Sequence, residues 1–179
     1  MNQVTPRGDE SKKAARREIH WTTVETSLGE ALVAATEKGV CRVAFGERES
    51  DLEAHFAGQI LVPDGPFVKA IADRVTQAIE RPGAGGNIPL DMDGTPFQQR
   101  VWQALREIPV GETRSYGQVA AALGNPKASR AVGGANRANA VAVLVPCHRV
   151  IAADGSLGGY AYGGQIKTEL LHRERAEAG

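Results

Sequence analysis

The sequence predicts a two-part chain: an α/β segment built on a small antiparallel sheet with helices, then a mostly α segment that carries a helix-turn-helix. Three observations predict it. Strand-like segments follow one another from Ile19 to Phe45. The stretch Arg81-Pro82-Gly83-Ala84-Gly85-Gly86-Asn87 then has linker composition. After Thr95 the apolar spacing becomes helical. The expected division is a disordered tail over 1–17, an amino-terminal α/β domain over 18–90 and a carboxy-terminal domain over 91–179.

The tail is polar, charged and aperiodic; its KKAARR run can touch phosphates or remain a solvated terminus. Strands are expected at Ile19–Glu25, Glu30–Thr36 and, after a turn at Glu37-Lys38-Gly39, Val40–Phe45. Cys41 falls inside the third and reads as a small packed hydrophobe. Helices are expected at Leu52–Phe56 and Phe67–Ile79, the second with Phe67, Ala70, Ile71, Val75, Ala78 and Ile79 on one face.

The second part opens on Thr95 as cap and Pro96 at the first helical position, with Phe97, Val101, Leu105 and Ile108 forming an apolar stripe. Pro109 and Gly111 end that helix. Ser115-Tyr116-Gly117-Gln118 matches a capping box, and the helix it starts stops at Gly124. Asn125-Pro126 is expected to cap the next helix, from Lys127 to Ala138, and the two helices make a helix-turn-helix outline. The apolar run Ala140–Val145 reads as a buried strand that ends at Pro146 and delivers Cys147, His148 and Arg149. A last helix is expected from Gln165 to Ala176.

Composition narrows the class. The chain has 179 residues with 21 basic and 21 acidic side chains, and 42% hydrophobic content is enough for a packed core. No apolar run reaches the ~18–20 residues of a membrane span, and the amino terminus has no apolar signal stretch, so a cytoplasmic protein without membrane partners is expected. Cys41 and Cys147 are too far apart in sequence for a zinc or Cys-x-x-Cys motif, so no metal site is expected.

Neutrality hides an uneven distribution. From Gly111 to Val150 the net charge is +4, carried by Arg114, Lys127, Arg130, Arg137 and Arg149 against Glu112, whereas residues 1–110 sum to −3. This is either a solvated face or a footprint for a polyanion. Ala128, Ser129, Ala131, Gly133, Gly134, Ala135 and Ala138 leave the second helix of the pair almost without bulk, at a cost in helix propensity. Such smoothness suits close approach to a polyanionic backbone; it equally suits packing against another helix. Gly155, Gly158, Gly159, Gly163 and Gly164, interleaved with Tyr160 and Tyr162, form a loop able to shape itself around a ligand. Glu174 shares the face of Ile166 and Leu170. On a buried face it needs a partner, economically a histidine near Cys147; the other reading is a solvated terminal glutamate.

Pro146-Cys147-His148-Arg149-Val150, preceded by Arg130-Ala131-Val132-Gly133-Gly134-Ala135-Asn136 and followed by the Gly-rich Tyr160 loop, resembles the methylated-DNA–protein-cysteine methyltransferases, the O6-alkylguanine-DNA alkyltransferases. The match runs from Thr95 to Glu174, and Thr26-Ser27-Leu28-Gly29 through Gly46 looks like the family's RNase H-like amino-terminal domain, most like the carboxy-terminal half of Ada-type proteins. The resemblance implies DNA repair in one turnover, without cofactor, by a monomer that inactivates itself. Cys147 would accept an alkyl group from O6-alkylguanine, and possible substrates extend to O4-alkylthymine. His148 would deprotonate it through a water, and Glu174 would orient the histidine. Tyr116 would rotate the damaged nucleotide out of double-stranded DNA, bound through its minor groove, and protonate the leaving guanine. Arg130 would fill the gap in the stack, with Lys127 and Arg137 also on DNA. Asn139 would structure the turn by the site, and Val150, Gly158 and Tyr160 would shape the base pocket. One departure is visible: Asn139-Ala140 and Ala142 stand where many relatives have Asn-Pro and a second proline.

Overall fold

The computed structural model describes residues 15–179. The expected tail lies outside them except for 15–17. There the Arg17 backbone N–H donates to Gln59 Oε1 at 2.6 Å and its guanidinium to Asp93 Oδ2 at 2.7 Å.

Strands β1 (Glu18–Thr26), β2 (Gly29–Thr36) and β3 (Gly39–Phe45) form an antiparallel meander. Helix α1 (Glu49–His55) then leads to β4 (Ile60–Pro63), which lies beside β1 and runs parallel to it, giving the order β3-β2-β1-β4. The sheet is therefore mixed, not antiparallel. The reason is the crossover: a chain that returns through a helix enters its next strand in the original direction. The β4 sequence, four residues at an edge and ending in proline, carries too short a pattern to read as a strand.

Helix α2 (Pro66–Glu80) starts on Pro66 and buries Val68, Ala72, Val75 and Ile79. Ala72, Val75 and Ile79 join Ala31, Val33, Val40 and Val43 in one core. On the other face Ile19, Leu32, Ala34 and Cys41 pack with Leu52 of α1. Burying each such aliphatic side chain contributes about 1.5–3 kcal/mol. Burial pushes the Cys41 thiol up to about 12, and the nearby Asp91 adds to it. Cys41 is thus an unreactive packed side chain.

The first part ends where the second begins, along the free edge of β3. Val40 N–H donates to Pro89 O at 2.9 Å, and Val43 N–H to Ala140 O at 3.0 Å. Gly39 permits this approach, since a Cβ there would lie 2.5 Å from the Pro89 carbonyl oxygen. The expected strand over Ala140–Val145 is not formed. Only Val141 bridges to β3; the chain then turns, with Val143 at φ 68° and Val145 N–H donating to Val141 O at 3.1 Å. Asn139 holds the turn closed. Its Oδ1 accepts from Val141 N–H and its Nδ2 donates to Val145 O, each at 2.9 Å. A buried apolar run has no period that separates strand from turn. A β-branched residue in the left-handed region costs on the order of 1–3 kcal/mol, which the clamp and the burial around it offset.

Helices α3 (Pro96–Arg106) and α4 (Tyr116–Ala122) begin on capping boxes, Thr95 with Gln98 and Ser115 with Gln118. Helix α5 (Ser129–Arg137) starts later than expected. Residues 125–128 form a turn closed by Ala128 N–H on Asn125 O at 3.0 Å, so Asn125-Pro126 does not cap the helix and Lys127 precedes it. Trp102 Nε1–H donates to Ala135 O at 2.8 Å, tying α3 to α5. Two short strands, β5 (Arg114–Ser115) and β6 (Val150–Ile151), pair in parallel, and α6 (Gly164–Ala178) closes the chain. Among the described residues no helix is long and apolar enough to cross a membrane.

Candidate active site

Cys147, His148 and Arg149 form a single 3-10 turn that follows Pro146 and enters β6. The turn resolves a geometric problem. In a straight strand neighbouring side chains point to opposite faces; here Cys147 reaches a cavity while His148 is fully buried behind it.

His148 Nε2 lies 2.7 Å from Glu174 Oε1. Arg149, next in the chain, reaches the same carboxylate: Nε donates to Oε2 at 2.9 Å and Nη2 to Oε1 at 2.8 Å, while Nη1 donates to Ile108 O at 2.6 Å. Burial pushes the Glu174 carboxyl up, but the bonds from His148 and Arg149 outweigh it and hold it at about 2. Burial lowers the His148 pKa, against the pull of Glu174. At neutral pH the pair is therefore a neutral imidazole donating Nε2–H to a carboxylate. The proton on Nε2 leaves Nδ1 with a free lone pair, and Nδ1 is buried without a hydrogen-bond partner. His148 thus keeps an unprotonated, unpartnered ring nitrogen and is next in the chain to Cys147.

The cavity measures about 970 Å³ and is lined by Tyr116, Ser129, Arg130, Gly133, Asn136, Arg137, Asn139, Cys147, Gly159, Tyr160, Ala161 and Tyr162. Cys147 is 7% exposed. Burial raises its pKa, and Asn139 and the Lys167 charge lower it. The resting group is a thiol. Tyr160 is held well above the usual phenol range by burial, and its hydroxyl is buried without a partner. Burial likewise raises the pKa of Tyr116.

The structure gathers Cys147, His148, Glu174, Tyr116, Asn139, Tyr160, Arg130 and Arg137 in or directly behind this cavity. Three residues named from the sequence stand off its wall. Lys127 is exposed in the turn before α5, because the helix starts two residues after it. The Val150 side chain is fully buried in the core. Gly158, at φ 68°, comes close to the Tyr116 hydroxyl, where a Cβ would lie 3.8 Å away. Two of the five cations counted in the positive segment are neutralised within the fold, Arg149 by Glu174 and Arg114 by Glu112 at 2.6 Å.

Sequence reasoning missed two charged residues that build the site. Arg149 was counted with the surface cations; the available signal was that a buried carboxylate needs more than a neutral histidine. Lys167 lies on the buried stripe of α6 with Leu170, Leu171 and Glu174, and helical spacing alone places it there. Its side chain is fully buried, and Nζ donates to the carbonyls of Val150 at 2.7 Å, Leu157 at 2.5 Å and Gly159 at 3.4 Å. One ammonium thus fastens the Gly-rich loop to the strand that leaves Cys147. Replacing Lys167 with Met, similar in length but without donors, strands those carbonyls. The expected loss is about 2 kcal/mol, or roughly 4–8 °C in melting temperature. Hydrogen exchange across 152–163 is expected to quicken, and an unchanged melt and loop would refute the fastening role.

A cysteine lining a cavity, a buried histidine–carboxylate pair next to it in the chain and a helix bringing Arg130 and Arg137 to the same cavity make up the site. Residues 96–176 match the family model described as "6-O-methylguanine DNA methyltransferase, DNA binding domain". The chain is 40% identical over 161 residues to the methylated-DNA–protein-cysteine methyltransferase of Methanosarcina acetivorans, covering 87% of this chain and 98% of that protein. It is 41% identical over 160 residues to the bifunctional transcriptional activator/DNA repair enzyme Ada of Escherichia coli, covering 87% of this chain but 45% of Ada, so it spans less than half of that relative. The crystal structure of Mycobacterium tuberculosis OGT in complex with DNA superposes with a TM-score of 0.73 at 39% identity, over 88% of this chain and 93% of that one. The chain belongs to the methylated-DNA–protein-cysteine methyltransferase family.

Proposed function

We propose that this chain repairs DNA by moving an alkyl group from O6-alkylguanine onto its own Cys147, once per molecule and without a cofactor. The observation that carries this reading is the unpartnered Nδ1 of His148, whose Nε2 is held by Glu174, next in the chain to a cysteine that lines the cavity. The exposed face of α5 supports it. Arg130, Ala131, Gly134 and Arg137 lie outward, and a Cβ added at Gly134 would meet nothing within 4 Å. At Gly134 the small residue is not filling a helix–helix contact, and the face is free to approach a duplex.

On this reading α4 and α5 act as a helix-turn-helix whose second helix enters the minor groove of double-stranded DNA, with Arg130, Arg137 and Lys127 on the nucleic acid. The division falls near residue 90, after an RNase H-like first domain whose β3 edge anchors the turn leading to Cys147. The protein works in the cytoplasm. Flipping the nucleotide costs a few kcal/mol, less at a weakened pair, and Arg130 offsets part of it by occupying the stack. Tyr116 turns the nucleotide out and Tyr160 walls the pocket. Asn139 shapes the turn, and Gly158 and Val150 keep loop and strand close to it.

The thiol proton passes through a water to His148 Nδ1. The sulfur attacks the alkyl carbon, the carbon–O6 bond breaks, and its electron pair leaves with the guanine, which takes a proton from Tyr116. The product is a thioether, and water does not hydrolyse it. Incubation with excess methylated duplex is expected to add the mass of one methylene to Cys147, one per molecule, and to stop there. Recovered free thiol, or repeated turnover, rejects the reading in favour of a hydrolase.

A further inference from the structure

Every side chain that the transfer uses comes from the second part of the chain. The first part lends the β3 edge that anchors the turn before Cys147. A second contact between the parts lies on α6.

Lys167 and Glu174 are seven residues apart and share the face of α6 that is turned to the site. Ile166 and Arg173 are also seven apart, on the neighbouring face about 100° round the axis. That face is turned to the first part. Ile166 packs against the core that α2 forms with the sheet. Two turns on, Arg173 Nη2 donates to Ser27 Oγ, in the turn between β1 and β2, at 2.9 Å, and Nη1 donates to Ile79 O near the end of α2 at 3.2 Å. Glu80 joins the cluster: it lies 3.7 Å from Nη1 and accepts from the Ser27 backbone N–H at 2.8 Å and its hydroxyl at 2.5 Å. Arg173 Nε donates to Glu169, one turn back on α6, at 2.8 Å.

An ion pair at a surface contributes little stability. A planar guanidinium with its side chain 18% exposed, bonded to its own helix and to two elements of the other part, contributes direction instead. What it fixes is the rotation of α6. Glu174, the next residue, meets His148 Nε2 at 2.7 Å. Turning the helix so that the carboxylate leaves the imidazole would also pull Arg173 away from Ser27 and Ile79. Lys167 holds the amino-terminal half of the helix on the carbonyls of Val150 and Leu157. Arg173 holds the other half, where Glu174 lies.

We propose that Arg173 is a positioning residue for alkyl transfer: anchored on Ser27 and the end of α2, it sets the rotation of α6 and so keeps Glu174 on His148. The assignment rests on the alkyl-acceptor reading and gives the first part of the chain a share in the chemistry.

The test measures single-turnover methyl transfer from O6-methylguanine duplexes over a range of duplex concentrations, at a temperature where circular dichroism shows each variant folded. Arg173→Met keeps the aliphatic stem and removes the donors. Its saturating rate is expected to fall about tenfold, the effect of a slightly misplaced catalytic group, with the half-saturating concentration within about twofold of the native one. In a Glu174→Gln background the same change is expected to cost less than about twofold, because the arginine acts through the carboxylate. Ser27→Ala with Glu80→Gln removes the partner side chains in the first part. It is expected to slow saturated transfer about threefold, and it decides the matter if the methionine variant fails to fold. A native saturating rate in these variants, an equal loss in the Glu174→Gln background, or a change confined to the half-saturating concentration overturns the proposal. A native protein that takes no methyl group overturns instead the alkyl-acceptor reading beneath it.

Discussion

Glu174→Ala is expected to destabilise the protein by about 3–5 kcal/mol, on the order of 10 °C in melting temperature. The size comes from what is left behind. Glu174 is 3% exposed and accepts from both His148 and Arg149, whose side chains are buried or nearly so. Removing the carboxylate leaves a guanidinium with one remaining acceptor, Ile108 O, and a histidine with none. The intact pair contributes far less than that figure, because bringing both charges out of water offsets most of their attraction. A double variant, Glu174→Leu with Arg149→Met, is therefore expected to be more stable than Glu174→Ala alone, measured by denaturant unfolding. A double variant that loses the sum of its two single changes would falsify the coupling.

The same carboxylate sets an acid limit. Its folded pKa, about 2, is below the ordinary 4.5, so the unfolded chain binds the proton more readily. The stability that Glu174 contributes is fully present above pH 4.5 and is lost as the pH falls toward 2. Glu174→Gln does not titrate, and its loss of stability across that window is expected to be shallower than in the native protein.

The starts of α3 and α4 were legible because each rests on local chemistry. Thr95 and Ser115 cap with Gln three residues on, and Pro96 opens its helix. What escaped depends on partners distant in sequence. The Ala140–Val145 run turns because Asn139 clamps both ends of it and a single bridge to β3 is all the sheet edge takes up. β4 escaped because four edge residues have no period. At the site, a cysteine beside a histidine is visible in any sequence, but whether Arg149 is a surface cation or a buried clamp is decided by a residue 25 positions away.

Cys147→Ser is expected to abolish methyl transfer, by more than about 10³-fold, while the variant folds and binds duplex DNA as the native protein does. The magnitude follows from where the rate originates. Burial holds the Cys147 thiol above its ordinary range, so little thiolate exists at rest. Even in water a free thiol is only a few per cent ionised at pH 7, so complete ionisation gains at most roughly 20-fold. Falling basicity takes part of that back. Most of the acceleration must therefore come from alignment of sulfur, carbon and oxygen and from a base that removes the proton as the bond forms. A serine hydroxyl in the same place keeps the alignment but is far harder to deprotonate, and a neutral imidazole meets that demand poorly. The base also fixes the pH profile. Because burial lowers the His148 pKa below 6.5, the imidazole stays unprotonated through neutrality, and single-turnover transfer by the native protein is expected to fall only below pH 6.5. Should Cys147→Ser still remove methyl groups from duplex DNA, the acceptor is some other atom, and the buried chain from Glu174 to His148 serves the fold alone.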